Sequence, residues 1–204
     1  MASVRCRARS TVATEQRISF CPVETSVLRQ WVPHLLQQRE AEEQQELELE
    51  TEQLLRLSDG CPGKLHHYVN GGLHTWLSIR SALLDVLDME VHQMFAWGKS
   101  HWQKLAAKPL ERNQWLVEAL EILELLLRDT LVYQATQRRR RLINSDLESR
   151  IQQWGEVLTP ETIAKLQERI IEARENQEIN VSPRLSLESI MLHIRGALQD
   201  GYAS

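Results

Sequence analysis

Apolar residues recur every three or four positions through most of the second half of the chain, which is the period of a helix that buries one face. The pattern predicts helices over residues 73–87, 89–107, 110–137, 146–154, 159–176 and 183–198. Thr159-Pro160 and Ser182-Pro183 mark two of the starts, since a capping residue followed by proline favours helix initiation. Apolar residues cover several sides of the helix at 110–137, so we expect it to lie between the others.

The first 72 residues predict shorter elements. A helix begins after Thr25 or Ser26, and its apolar side comprises Val27, Leu28, Trp31, Leu35 and Leu36. A second helix ends at Gly60, and a short helix over 64–70 ends at Gly71-Gly72, since glycine favours helix termination. Residues 17–22 alternate polar and apolar side chains and predict one short strand, whose partners would lie outside this polypeptide.

The composition agrees with a helical protein. Of the 204 residues, 42% are hydrophobic and 25% are charged, which is the balance of a folded protein. Eight Gly and six Pro are too few for the frequent turns of a β-sandwich or barrel. We therefore predict an all-α fold, with an irregular basic lead-in at 1–17, a small helical unit at 18–71 and a bundle of five to six helices at 72–204.

Charge is uneven along the chain, although the net charge is only −4. Residues 40–52 include seven Glu and no base, whereas Arg138, Arg139, Arg140 and Arg141 are consecutive. One interpretation of the arginine run is a contact with phosphates. The other is a solvated turn or a contact between subunits, and it is favoured because cations are stabilising at a helix C-terminus. Three cysteines form no disulfide framework and no apolar run approaches a membrane span, so we expect a cytoplasmic protein without membrane contact.

The sequence has no catalytic or cofactor motif. It contains no G-x-x-x-x-G-K-[ST] phosphate loop, no G-x-G-x-x-G, no H-E-x-x-H and no C-x-x-C. His66-His67 and His74 have no partner at metal-ligand spacing. The row formed by Glu118, Glu121 and Glu124 is interpreted as a solvated helix face. We therefore expect no enzyme activity and no cofactor in this chain.

Three groups of residues resemble one protein family. Ile18-Ser19-Phe20, followed by Gly60-Cys61-Pro62-Gly63, is similar to the returning strand and the "G-x-P-G" turn of a clamp-loader AAA+ lid. Leu127-Arg128-Asp129 with Asn144-Ser145-Asp146 resembles the "L-R-D…N-x-D" of the family's collar helix. Residues 180–192 resemble its "N-x-N-x-R-L-x-L-E-x-L-L-L" ending. Over residues 18–198 the chain therefore resembles the delta-prime and gamma/tau-type clamp-loader subunits of bacterial DNA polymerase III.

The resemblance implies a non-catalytic, delta-prime-like subunit that acts in DNA replication, with a lid and a collar but without the ATPase core that precedes them in the family. The collar would bind other clamp-loader subunits, delta and gamma/tau-like, and would reach the sliding clamp and DNA only through the complex. The implied interface residues are Arg128, Asp129, Asn180, Arg184, Leu187, Glu188 and Met191. Arg5 or Arg7 is the nearest counterpart of the family's arginine finger, and Pro62-Gly63-Lys64 is similar to the ATP-inactive delta-prime pattern.

The C-terminal helix leads to further expectations. Its apolar residues from Leu187 to Ile194 recur at three- and four-residue steps, so they form a stripe that we expect to be buried against the helix at 110–137. Arg184 and Glu188 are four residues apart and would pair on the surface. The alternative to a replication role is a stand-alone helical adaptor that forms homo-oligomers.

Overall fold

The computed structural model describes residues 21–36, 51–105, 109–176 and 182–202, and all regular structure in these ranges is helical, which confirms the predicted all-α class. The α-helices of the described residues are α1 (Thr25–Leu36), α2 (Thr51–Ser58), α3 (Pro62–His67), α4 (Leu73–Asp88), α5 (Val91–Leu105), α6 (Pro109–Thr136), α7 (Glu148–Val157), α8 (Pro160–Asn176) and α9 (Pro183–Tyr202). The predicted lead-in, residues 17–20 of the predicted strand, Arg5, Arg7 and Asn180 lie outside the described residues.

The chain divides into two compact units, Met1–Gly71 and Gly72–Ser204. The π-helical turn Tyr68–Gly72 follows α3, and within it Gly71 has a φ of 95°, a backbone conformation that residues with a side chain rarely adopt. The double glycine therefore interrupts the helix at the division between the two units. The assignment of these units as a lid and a collar stays a prediction.

In the first unit, a glycine turn after α2 binds the chain that leads into α1. The backbone N–H of Val23 donates a hydrogen bond of 2.8 Å to the carbonyl oxygen of Gly60. Gly60 has a φ of 73°, and a Cβ at this position would lie 2.6 Å from the Cβ of Pro22. Both the backbone conformation and the close approach therefore require glycine at this turn.

The buried side of α1 differs from the predicted one. Leu28, Val32 and Leu36 are buried, whereas Val27 and Trp31 are exposed. The buried residues are spaced by four positions, and two of them, Leu28 and Leu36, were on the predicted side. The prediction for Val27 and Trp31 was therefore wrong. In the described part of the chain, α1 packs against α2 and buries only a narrow stripe.

Helix α6 lies at the centre of the second unit, as the sequence predicted. It packs against α4, α5, α7, α8 and α9, and its residues are buried on several sides. The stripe of α9 that includes Leu187, Ile190, Met191 and Ile194 is buried, which confirms that expectation. The partners of α9 include α6 but also α5, α7 and α8, so the stripe is covered by several helices rather than by α6 alone.

Candidate subunit interface

The first turn of α9 contains an ion pair between a partly exposed arginine and a buried carboxylate. Arg184 Nε donates a hydrogen bond of 2.7 Å to Glu188 Oε1. Glu188 is only 5% exposed, and its Oε2 has no hydrogen-bond partner among the described residues. The pair was predicted from the sequence, but its placement on the surface was wrong for Glu188.

Glu188 is buried because α5 has a glycine opposite it. A Cβ added at Gly98 would come within 3.2 Å of the Glu188 carboxyl carbon, closer than real Cβ contacts commonly are. The absence of a side chain at Gly98 therefore lets α9 approach α5 with a carboxylate between the two helices.

The other interface residues predicted on α9 belong to the core of this chain. Leu187 and Met191 are each 1% exposed and pack inside the bundle. The large apolar residue that α9 does expose is Leu185, which is 59% exposed. A contact with another subunit would therefore use Leu185 and the exposed part of Arg184, while the interface role of the buried residues stays a prediction.

Asp129, on the C-terminal part of α6, binds the turn that follows this helix. Its side chain is fully buried and accepts hydrogen bonds from the backbone N–H of Ile143 (3.1 Å), the backbone N–H of Asn144 (2.7 Å) and the Asn144 side-chain amide (2.9 Å). Arg128 Nη1 lies 2.7 Å from Asp129 Oδ1 and supplies the opposite charge. A buried carboxylate with several donors and one cation is satisfied, so Asp129 stabilises the turn.

Arg80 on α4 extends this network to a second helix. Its Nη1 donates to Asn144 Oδ1 at 2.8 Å and to Asp146 Oδ1 at 3.0 Å, and its Nη2 donates to Asp146 Oδ2 at 2.5 Å. The guanidinium also lies over the ring of Trp76, 5.1 Å from its centroid. The structure thus brings together the "L-R-D" and "N-x-D" groups of the sequence, and it adds Arg80, which sequence reasoning missed. The only sequence signal for Arg80 was a charged residue on the apolar face of its helix.

Above this network, the four consecutive arginines are exposed. Arg139–Arg141 forms a short 3₁₀ turn after α6. Arg139 lies 3.5 Å from Glu148, and among the described residues the side chains of Arg138, Arg140 and Arg141 have no ion-pair partner. Three cationic side chains are therefore available to an anion at this turn, and the phosphate contact stays a prediction.

A comparison with known proteins identifies the family. The family model described as "DNA polymerase III, delta subunit, C terminal" matches residues 74–196. The chain belongs to this family. The match extends from α4 into α9 and includes the network around Asp129. Neither the curated proteins nor the solved structures gave a match to the chain.

Membership of this delta-type family of DNA polymerase III tests part of what the resemblance implies. The family consists of non-catalytic clamp-loader components that act in DNA replication, so the broad identification from the sequence is confirmed. The match does not distinguish delta-prime from delta, and that distinction stays a prediction. In the described part of the chain, no helix has the length and apolar character needed to cross a membrane.

The second unit of this delta-family chain also contains an aromatic cluster between α5 and α6. The His101 ring contacts Trp97 and Trp115, with centroid distances of 4.7 and 4.4 Å, and the two tryptophans lie 6.2 Å apart. Trp102 contacts Trp115 at 5.7 Å. Burial lowers the pKa of His101, and the positive charge of Lys104 lowers it further. Within the described ranges no group of three or more His, Cys, Asp and Glu side chains is placed to hold a metal ion.

Proposed function

We propose that this chain is a delta-prime-like subunit of a bacterial clamp loader and that it assembles with delta and gamma/tau-like subunits through its second unit. The complex, rather than this chain, would contact DNA and the sliding clamp in the cytoplasm. The observation that carries the clamp-loader role is the family match over 74–196, which spans nearly the whole helical bundle. In this role the chain works by shape and burial, which fits a sequence without a phosphate-binding loop.

The delta-prime assignment is supported by the turn after α2. Gly60-Cys61-Pro62-Gly63-Lys64 is similar to the ATP-inactive pattern of the family, in which a lysine follows the proline and glycine. The turn precedes α3, which begins at Pro62 without a side-chain cap. Lys64 is the third residue of α3 and directly follows this turn, at which the resemblance places a sensor arginine in gamma-like subunits.

The exposed apolar residues of α9 and α6 are the proposed contact points. Leu185 on α9 is 59% exposed and Val117 on α6 is 45% exposed. Burying large apolar side chains is a main source of affinity between subunits, and charged residues are depleted at the centre of such contacts. We therefore expect α9 and the exposed side of α6 to pack against helices of neighbouring subunits.

A charge placed at Leu185 tests this function. Leu185→Asp should weaken assembly with purified delta and gamma/tau-like subunits by about tenfold or more, because the aspartate would be desolvated in the contact. Ile171→Asp on α8 is the matched control, since Ile171 is 49% exposed and lies outside the proposed contact. Both variants should keep the wild-type melting temperature. Equal assembly of the two variants and the wild type would show that α9 is not part of the interface.

A further inference from the structure

A cavity of about 650 Å³ opens between α4, α7 and α9, on the second unit. Two arginines line it, Arg195 from α9 and Arg150 from α7. Its apolar wall includes Leu87, Trp154 and Leu198. Most of the lining residues lie within the region that the family model matches, and Leu198 and Gln199 lie just beyond it, but nothing in the match assigns a ligand to the cavity.

Arg195 is a buried cation with incomplete partners. Its side chain is 8% exposed, and the carboxylate nearest to it, Glu90 Oε2, lies 3.4 Å away on a side chain that is 71% exposed. The Gln199 amide, in the orientation that its surroundings favour, accepts hydrogen bonds from Arg195 Nε and Nη2 at 3.2 and 3.1 Å. Arg195 Nη1 has no hydrogen-bond partner among the described residues. A buried guanidinium with unpaired donors is costly unless an anion supplies the missing acceptors.

Arg150 adds a second positive charge to the same cavity. It forms an ion pair with Asp88, whose side chain is mostly exposed, and its guanidinium lies 5.9 Å from the centroid of the Trp154 ring. The carboxylates of Asp88 and Glu90 are thus both on the solvent side of their arginines, because both side chains are more than half exposed. The cavity therefore contains two arginines that are more buried than the carboxylates paired with them.

We propose that this cavity receives a single glutamate or aspartate side chain from a neighbouring clamp-loader protein, which would pair with Arg195 and Arg150. This inference rests on the proposed function, since the carboxylate comes from an assembled partner. A planar carboxylate matches the paired donors of a guanidinium, and the apolar wall suits the methylene groups of a glutamate. A nucleic-acid backbone fits less well, because Asp88 and Glu90 would repel its successive phosphates.

The direct test measures assembly of the full chain with delta and gamma/tau-like subunits. Arg195→Gln should weaken binding by about 30-fold or more, and Arg195→Lys should retain part of the affinity, because the lysine keeps the charge but not the fork of donors. Arg174→Gln is the matched control, since Arg174 forms an ion pair with Glu124 on α6, away from the cavity. Arg174→Gln should bind like the wild type. If Arg195→Gln is not folded by circular dichroism, Arg150→Gln replaces it, because Arg150 is less buried.

The outcomes separate this inference from the proposed function. If the wild type assembles, and Arg195→Gln and Arg150→Gln both assemble as well as the wild type, the inference is overturned and the proposed function stands. If the wild type does not assemble, the proposed function fails. An NMR titration then tests separately whether the cavity binds a carboxylate. A blocked tri-glutamate peptide at millimolar concentration should then shift the Trp154 indole resonance in the wild type and not in Arg195→Gln. No shift with the peptide, or an equal shift with inorganic phosphate, would overturn the carboxylate assignment.

Discussion

Glu188 has a negative charge in a largely apolar setting, and Arg184 is its one ion-pair partner among the described residues. Removing Arg184 leaves the carboxylate buried without a cation, which costs more than the loss of a surface pair. We therefore predict that Arg184→Ala lowers the free energy of unfolding by about 1–3 kcal/mol in urea denaturation at pH 7. The sequence analysis placed this pair on the surface, where its loss would cost only a few tenths of a kcal/mol.

A second substitution shows whether the buried charge is the cause. Glu188→Gln in the Arg184→Ala background removes the unpaired charge and should recover part of the lost stability. Leu187→Ala is the comparison variant in which only apolar contacts are lost. It should lower the free energy of unfolding by about 2–5 kcal/mol, since it leaves a cavity in the core. If Glu188→Gln lowered stability further in that background, the unpaired charge would not be the cause of the loss.

His101 predicts a pH dependence of stability. Its folded pKa lies below the ordinary value of 6.5 because the ring is partly buried against Trp97 and Trp115, and Lys104 adds a smaller effect. As the pH falls, His101 therefore binds a proton in the unfolded chain before it does so in the folded one. The free energy of unfolding is highest above pH 6.5, and it decreases as the pH falls below this value towards the folded pKa. Between pH 7.5 and 5.5, the melting temperature of the wild type should fall more than that of His101→Gln. Parallel curves for the two proteins would contradict the assigned pKa shift.

At the scale of elements, the turn between α6 and α7 depends on one buried carboxylate. Asp129→Asn removes the charge and replaces one acceptor oxygen by an NH₂ group. This group cannot accept a hydrogen bond from the backbone N–H groups of Ile143 and Asn144. We predict a loss of about 1–3 kcal/mol for each donor left without an acceptor, together with faster hydrogen exchange of the Ile143 and Asn144 amides. Thermal denaturation and exchange mass spectrometry measure the two effects.

The matched control lies at the start of α7, directly after the same turn. Glu148→Gln removes only the exposed contact with Arg139, so it should cost below about 1 kcal/mol and leave the exchange rates unchanged. An Asp129→Asn protein as stable as Glu148→Gln would mean that the turn is stabilised by packing rather than by hydrogen bonds to Asp129.

The same elements show what the sequence can predict. Pro160 and Pro183 begin α8 and α9, because proline at the first helical position acts locally and needs no tertiary contact. The network of Arg80, Asn144 and Asp129 was not predicted, since Arg80 and Asn144 are 64 residues apart and only the packing of α4 on α6 brings them together. The burial of Glu188 also depends on Gly98 on another helix. The starts of these helices were therefore predictable from local sequence, whereas the contacts of Arg80 and Glu188 between helices were not.

At the scale of the whole molecule, the arginine run tests whether this chain contributes to DNA binding. The net charge is −4, so duplex binding by the isolated chain should be weak and should fall steeply with salt. Changing Arg138, Arg139, Arg140 and Arg141 together to Ser should reduce this binding and flatten its salt dependence, as measured by fluorescence anisotropy. Unchanged binding by the variant would exclude the run as a phosphate contact.

The proposed function requires that the second unit join this chain to other clamp-loader subunits. Native mass spectrometry of the chain mixed with delta and gamma/tau-like subunits, at near-physiological ionic strength, measures this assembly. We expect a stable complex that contains this chain together with those subunits. Detection of this chain only as a monomer or a homodimer, while the other subunits assemble with one another, would contradict the proposed function and favour the stand-alone adaptor.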